Sequence, residues 1–571
     1  SGLLSTGGRT RFSRQEYLTR PLKEVVLIYS HQGGISFPYR LTRIIAVPLV
    51  LLILSLISAP SAGAPMSSWD ATPCGRVGGT LVFAQGQETV GLDAQIITDG
   101  FSANNTSNIY DTLVRFSAKG TQVEPSLAES WTTSADGLVW TFKLRSGVKF
   151  HDGTPLNAKA VKFNIERQVN PKHPFHHGSF DYAGFTYQNL KSVEAVDART
   201  VRIRLSAPFA PFLANMAMFT TNINSPTAVR KFGKDYFKHP VGTGPFKFVE
   251  WVQKDHVTLE ANRDYWAGRP CVDRLIIRGI PDNTVRALEL EKGTVHIMDQ
   301  TSPSDYERVR KNKDLVLFTG PGLNTGYIAM NVEKEPFTDA RVRRAVNHAI
   351  NKPLLIRAFY LGIGTPAKNP MPPTIWSYND AVQDYGYSVE KAKALLAEAG
   401  YPNGFTTELW WPNRARPYLT QPQKIAEAMQ QMLAQVGIRA KLVTFEWGAF
   451  LSKASNAEHP MMIIGWTGDN GDPDNFLYAL LDKDNAVKGT AQNYAFYKSN
   501  ALHDLLIKAQ RTSNQAERTK LYQQAQVVIK RDAPWAPFVH AGRVAAYRRE
   551  VQNYFPHPLD LRWFHRVWLS K

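Results

Sequence analysis

Residues 125–167 read PSLAESWTTSADGLVWTFKLRSGVKFHDGTPLNAKAVKFNIER, and the order of local signals along them decides the fold class. Asp136-Gly137 and Asp152-Gly153 are dipeptides that turn a chain tightly. Between them Val139–Leu144 alternates as a half-buried strand does. Asn157 then offers a side-chain oxygen to the free amides of a helix starting at Ala158. A strand set between turns and followed by a capped helix predicts α/β architecture, and the stretch holds no catalytic grouping.

The same alternation extends in both directions. Thr80–Gln85 is strand-like, and Gly242 and Gly244 around Thr243 permit a tight backbone path into a strand over 246–249. No glycine-rich helix entry of the kind that cradles nucleotide phosphates is present. Asp282 or Asn283 caps a helix through Ala287 to Glu291, with Gly293 past its end, and Ser388 precedes a helix that stops at Gly400. Asn514 and Glu517 form a capping box for a helix over 515–530, which Pro534 and Pro537 then halt.

The N-terminal part has a different composition. Arg40 and Arg43 precede an apolar run over 44–57, and Ala62-Gly63-Ala64 follows with the small residues a signal peptidase accepts. The run is short for a bilayer crossing, so residues 34–64 are read as a signal peptide, with residues 1–33 upstream of the fold. No cysteine stands at the cleavage region, which argues against a lipid anchor. A soluble periplasmic product follows, in an oxidising compartment where Cys74 and Cys271 either pair or stay free.

Without the first 64 residues the formal charge falls from +18 to +13. The basic residues are scattered singly, with no Lys/Arg run and no nucleic-acid motif, so a solvated basic surface is expected and nucleic acid is not. The remaining length is too great for one hydrophobic core and suits two large lobes.

Residues 125–167 resemble the signature of the extracytoplasmic solute-binding proteins that deliver peptides or nickel to ABC importers. Residues 239–246 (HPVGTGPF), 324–327 (NTGY) and 341–352 (RVRRAVNHAINK) are similar to further parts of that family's pattern, so the resemblance covers essentially the whole chain beyond the signal. It implies a two-lobed periplasmic-binding-protein fold with an extended first lobe and a ligand cleft at the hinge. The first lobe would take residues 65–321 and 542–571, the second 322–541. It also implies a monomer that closes around its ligand and presents a changed surface to a cognate permease and ATPase.

Two loops carry the expected chemistry. A run over 461–464 reads as a strand ending where glycines begin, which places Asp469 exposed beside Trp466 in the loop GWTGDNGDPDNF, residues 465–476. Arg416-Pro417-Tyr418 follows a strand over 408–411 in a proline-containing loop. A zwitterionic peptide has an ammonium at one end and a carboxylate at the other, and burying either without a partner costs several kcal/mol. Asp469 suits the amine, and the fork of Arg416 suits the carboxylate through two parallel hydrogen bonds. Both loops resemble those of the dipeptide-binding members of the family. By that resemblance Asp469 takes the amine, Arg416 the carboxylate, and Tyr418, Trp447, Trp466, Gly465 and Thr467 line the pocket.

Plainer roles compete at each position. Asp469 could cap its own turn, and Arg416 could be solvated. Asp469, Asp472 and Asp474 lack EF-hand spacing, since Pro473 interrupts and Leu480 stands where a glutamate is needed, so no calcium is expected and the later acids are read as loop supports. His173, His176 and His177 are read as a surface loop. No metal, cofactor or Ser-His-Asp grouping is expected, so the protein is read as a non-enzyme that captures dipeptides or short peptides. Haem or nickel-complex binding is the alternative, followed by a secreted peptidase.

Overall fold

The computed structural model describes residues 72–571. The upstream segment 1–33 and the signal peptide 34–64 lie outside the described residues.

Two mixed sheets dominate. The seven-stranded sheet runs in the order Leu315–Gly320, Arg543–Arg548, Ile297–Met298, Thr80–Gln85, Arg274–Gly279, His256–Ala261, Phe246–Val252. Its centre is parallel, with Thr80–Gln85 paired to Arg274–Gly279 and to Ile297–Met298. The six-stranded sheet runs Gly364–Pro366, Trp535–Ala541, Asn324–Met330, Met461–Thr467, Phe405–Pro412, Ile438–Phe445. A four-stranded antiparallel sheet built from residues 128–205 extends the first half, and it contains the strand Val139–Leu144 with the bounds its alternation predicts.

The central strands are covered on both faces, so they are largely buried along their length. Asn324–Met330 is buried at all seven positions. Ile328, Leu409, Met461 and Ile463 pack with Met429 and Leu433 of the helix Pro422–Gln435 in one core, while Leu81, Phe83, Leu275 and Ile277 form a separate core on the seven-stranded sheet. Each such side chain removed from water contributes about 1.5–3 kcal/mol.

Helix starts follow the caps. Asn157 accepts from the amide of Ala160, Asp282 from Val285, Ser388 from Lys391 and Asn514 from Glu517. Three strands extend beyond the runs legible in sequence: Phe246–Val252, Phe405–Pro412 and Met461–Thr467. Gly465 does not end the last of these, because it pairs across the sheet with Gly326.

The chain passes between the two large sheets twice, over residues 321–323 and at Gly542. Asn324 clasps the two passages together. Its Nδ2 donates to the Ala541 carbonyl at 3.0 Å and its Oδ1 accepts from the Ala541 amide at 2.9 Å. Gly322 must be glycine here, since a Cβ would lie 2.2 Å from the Ala541 carbonyl oxygen. Cys74 and Cys271 are disulfide-bonded, which closes the alternative left open by the sequence and ties the start of the described chain to the seven-stranded sheet.

Candidate functional site

Phe405–Pro412 and Met461–Thr467 are parallel neighbours, with Leu409 opposite Met461. The loops that leave their C-terminal ends therefore emerge at one edge of the six-stranded sheet. Such edges are where open α/β sheets bind ligands.

The first loop holds Arg416. Pro412 and Pro417 keep it from continuing as a helix, and reciprocal bonds between the backbones of Arg416 and Leu419, at 3.0 and 2.9 Å, close it into a tight turn. The Arg416 guanidinium lies over the Trp447 ring, 3.7 Å from its centroid, and that ring stacks on Phe450. The side chain is half-buried, and burial pulls its pKa down. It makes no ion pair among the described residues, and its Nε is buried without a hydrogen-bond partner among them. Trp447 thus sits beneath the cation as its platform.

The second loop holds Asp469, which is half-buried rather than exposed. The strand runs three residues further than the sequence suggested, and the loop then folds back over its own helix. Asn475 accepts from the Asp469 amide at 2.9 Å and donates from Nδ2 to Oδ2 at 3.2 Å. The Trp466 indole also donates to Asn475, at 2.9 Å, so Trp466 fixes the residue that fixes Asp469. Tyr182, far away in sequence, donates its hydroxyl to Oδ1 at 3.4 Å. Burial pushes the Asp469 carboxyl up to about 6, against the pull of those two bonds.

Gly465 and Tyr418 join the two loops. The Tyr418 ring occupies the space that a Cβ on Gly465 would need, 2.4 Å from the nearest ring atom. Tyr418 is buried, and burial raises its hydroxyl to about 12. Thr467 is half-buried, and its hydroxyl has no hydrogen-bond partner among the described residues.

Asp472 and Asp474 point away from Asp469. Asp472 forms a buried ion pair with Arg518 at 2.7 Å and accepts from the amide of Asp474. Asp474 accepts from Gln510 at 3.0 Å and is pushed up to about 7 by burial and by Asp472. The helix Asp474–Leu481 starts within this loop, with Asp474 in its first turn. His176 is tied to the backbone carbonyl of Arg167, in keeping with a loop role.

Sequence reasoning missed Tyr182 and Asn475. Asn475 stood within the quoted loop, but its role depends on the loop folding back. Tyr182 carried no local signal, because 287 residues separate it from Asp469.

A two-lobed α/β protein with a polar two-loop site at one sheet edge defines the class of binding proteins that enclose small solutes. Residues 122–488 match the family described as bacterial extracellular solute-binding proteins, family 5, and the chain belongs to that family. It is 41% identical over 505 residues to heme-binding protein A of Haemophilus influenzae, covering 86% of this chain and 92% of that one. It is 40% identical over 505 residues to a dipeptide-binding protein of Escherichia coli, covering 86% and 94%. Among solved structures it resembles the ABC transporter-associated periplasmic binding protein DppA from Helicobacter pylori in complex with the peptide STSA. That likeness has a TM-score of 0.78 at 39% identity, over 87% of this chain and 99% of the other. A dipeptide binding protein from Pseudoalteromonas in complex with Met-Leu matches with the same TM-score at 28% identity, over 86% of this chain and all of the other.

Proposed function

We propose that this protein captures dipeptides and other short peptides in the periplasm and delivers them to the permease and ATPase of an ABC importer, with no catalytic step of its own. Asp469 takes the ligand ammonium and Arg416 its carboxylate. Tyr418, Trp447, Trp466, Gly465 and Thr467 shape the space between. The observation that carries this reading is the pairing of opposite charges on adjacent loops, a half-buried carboxylate and a half-buried guanidinium, neither of which has an ion-pair partner among the described residues. Leaving two charges partly desolvated costs stability unless a ligand supplies the counter-charges.

The lobes in this reading are 65–321 with 542–571, and 322–541. The two clasped passages at Gly322 and Gly542 act as the hinge on which they close, and the protein works as a monomer. Export through the signal peptide at 34–64 places it in the periplasm. The names of its relatives support peptide transport.

Haem binding is the second reading, favoured by the similarity to a heme-binding protein at 41% identity. Calorimetric titration with a dipeptide and spectroscopic titration with haem separate the two. Peptide binding without a Soret shift supports the first reading, and a saturable Soret shift without peptide binding supports the second.

A further inference from the structure

Outside the two loops, the C-terminal end of the helix Asp474–Leu481 gathers the atoms of a metal site. Asp482 follows that helix and starts the short turn Lys483–Asn485, its carboxylate accepting from the amide of Asp484 at 2.9 Å. The turn brings the two carboxylates together, and His503, near the start of the helix Asn500–Arg511, completes the group. One ligand atom from each of the three residues lies within 4.8 Å of the others. His503 stands 21 residues beyond Asp482, so the grouping forms only when the two helices pack, and no metal is expected from the sequence alone.

The His503 Nδ1 faces both oxygens of Asp482, at 3.0 and 3.1 Å, and one oxygen of Asp484 at 3.8 Å. A ring nitrogen carries at most one hydrogen, so it cannot satisfy three carboxylate oxygens at once. A metal ion can. Zinc bonds imidazole nitrogen and carboxylate oxygen at about 2.0–2.2 Å, which sets tetrahedral ligand atoms about 3.3 Å apart. The distances from Nδ1 lie on either side of that value, and the Asp484 side chain, 48% exposed, has room to adjust.

The charge balance points the same way. Neither aspartate pairs with a lysine or arginine among the described residues, although Asp482 is fully buried. Lys483, between them in sequence, donates to Asn500 at 2.7 Å instead. Even with His503 protonated, one negative charge is left over. The ligands are also held from behind, as metal ligands usually are: Tyr478 donates its hydroxyl to Asp484 at 3.3 Å, and Asn493 donates to the Asp482 carbonyl at 3.1 Å.

The donor set narrows the metal. Calcium takes six to eight oxygens and magnesium a near-ideal octahedron of them, whereas one imidazole with two carboxylates suits zinc. We propose that Asp482, Asp484 and His503 bind Zn2+, with water in the fourth position, and that the ion pins the end of the helix Asp474–Leu481 to the helix Asn500–Arg511. The first of these helices carries Asn475, the residue that orients Asp469, so the ion steadies the element behind the amine-binding loop.

The test is calorimetric titration of Zn2+ alone into the exported protein, free of tags and stripped with EDTA, alongside His503→Ala and Asp484→Asn. Both side chains reach solvent, so both variants are expected to fold. The wild type is expected to bind a single ion per chain that excess Mg2+ or Ca2+ does not displace. Each variant is expected to bind it at least about tenfold more weakly, since even the partners of metal ligands are worth about 10–100-fold. Zinc should raise the melting temperature of the wild type and not of the variants. No zinc binding by the wild type, binding as tight in either variant as in the wild type, or displacement by equal Ca2+ overturns the assignment. Dipeptide capture is measured separately and stands or falls on its own.

Discussion

Asn475 grips Asp469 from both sides, accepting from its amide at 2.9 Å and donating to its carboxylate at 3.2 Å. The result is a carboxylate held in one orientation but pushed up to about 6 by burial. For an acid raised in the folded state the sign is clear. The folded protein binds the proton more tightly than the unfolded chain, so ionising Asp469 weakens the fold as pH rises from the ordinary carboxylate range through about 6. At neutral pH the empty protein carries that cost, and a bound ammonium offsets it.

Asp469→Asn is therefore expected to separate binding from stability. Affinity for a dipeptide should fall by about a hundredfold or more, as when one partner of a buried charge pair is removed. Thermal unfolding of the empty variant should occur at the same temperature as wild type or higher. Calorimetry and a melting curve check both, and unchanged affinity would remove Asp469 from the site.

The same carboxyl gives binding a pH dependence. Affinity should hold above about pH 6 and weaken below it, approaching about tenfold per unit, because protonated Asp469 no longer attracts the amine. In Asp469→Asn the slope over this window should disappear. Titrations over roughly pH 4.5 to 8, the range spanning that midpoint, measure it.

Trp447 supports Arg416 from below, at 3.7 Å. Trp447→Ala should weaken dipeptide binding by about threefold to thirtyfold, the usual worth of a partly desolvated cation–aromatic contact. A C-amidated dipeptide, which makes less use of Arg416, should lose less. Equal losses for both ligands would mean that Trp447 touches the peptide elsewhere.

Gly465→Ala should damage both fold and binding, since the new methyl would meet the Tyr418 ring at 2.4 Å and the Thr325 carbonyl at 2.3 Å. A lower melting temperature together with weaker peptide binding is the expected result. Reduction of the Cys74–Cys271 bond should act differently, costing about 2–5 kcal/mol of stability with little change in affinity, as read by melting and calorimetry with and without reductant.

What the sequence reveals is local. Asn157, Asp282, Ser388 and Asn514 announce their helices because a cap depends only on residues a few positions away. Thr80–Gln85 and Val139–Leu144 announce themselves through apolar character and alternation. Gly465 misleads, because a glycine that looks like a strand end is there to let Tyr418 pack and to pair with Gly326. Asp469 was expected exposed because an acid among glycines usually is, and only tertiary folding brings Tyr182 and Asn475 over it. The inward turn of Asp472 depends on Arg518, two helices away.

The two-ended charge recognition at the centre of this proposal is tested most directly by calorimetric titration with a dipeptide, its N-acetylated form and its C-amidated form. Removal of either charge should weaken binding by at least about tenfold, with the loss on acetylation abolished in Asp469→Asn. Equal affinities for all three ligands would contradict it.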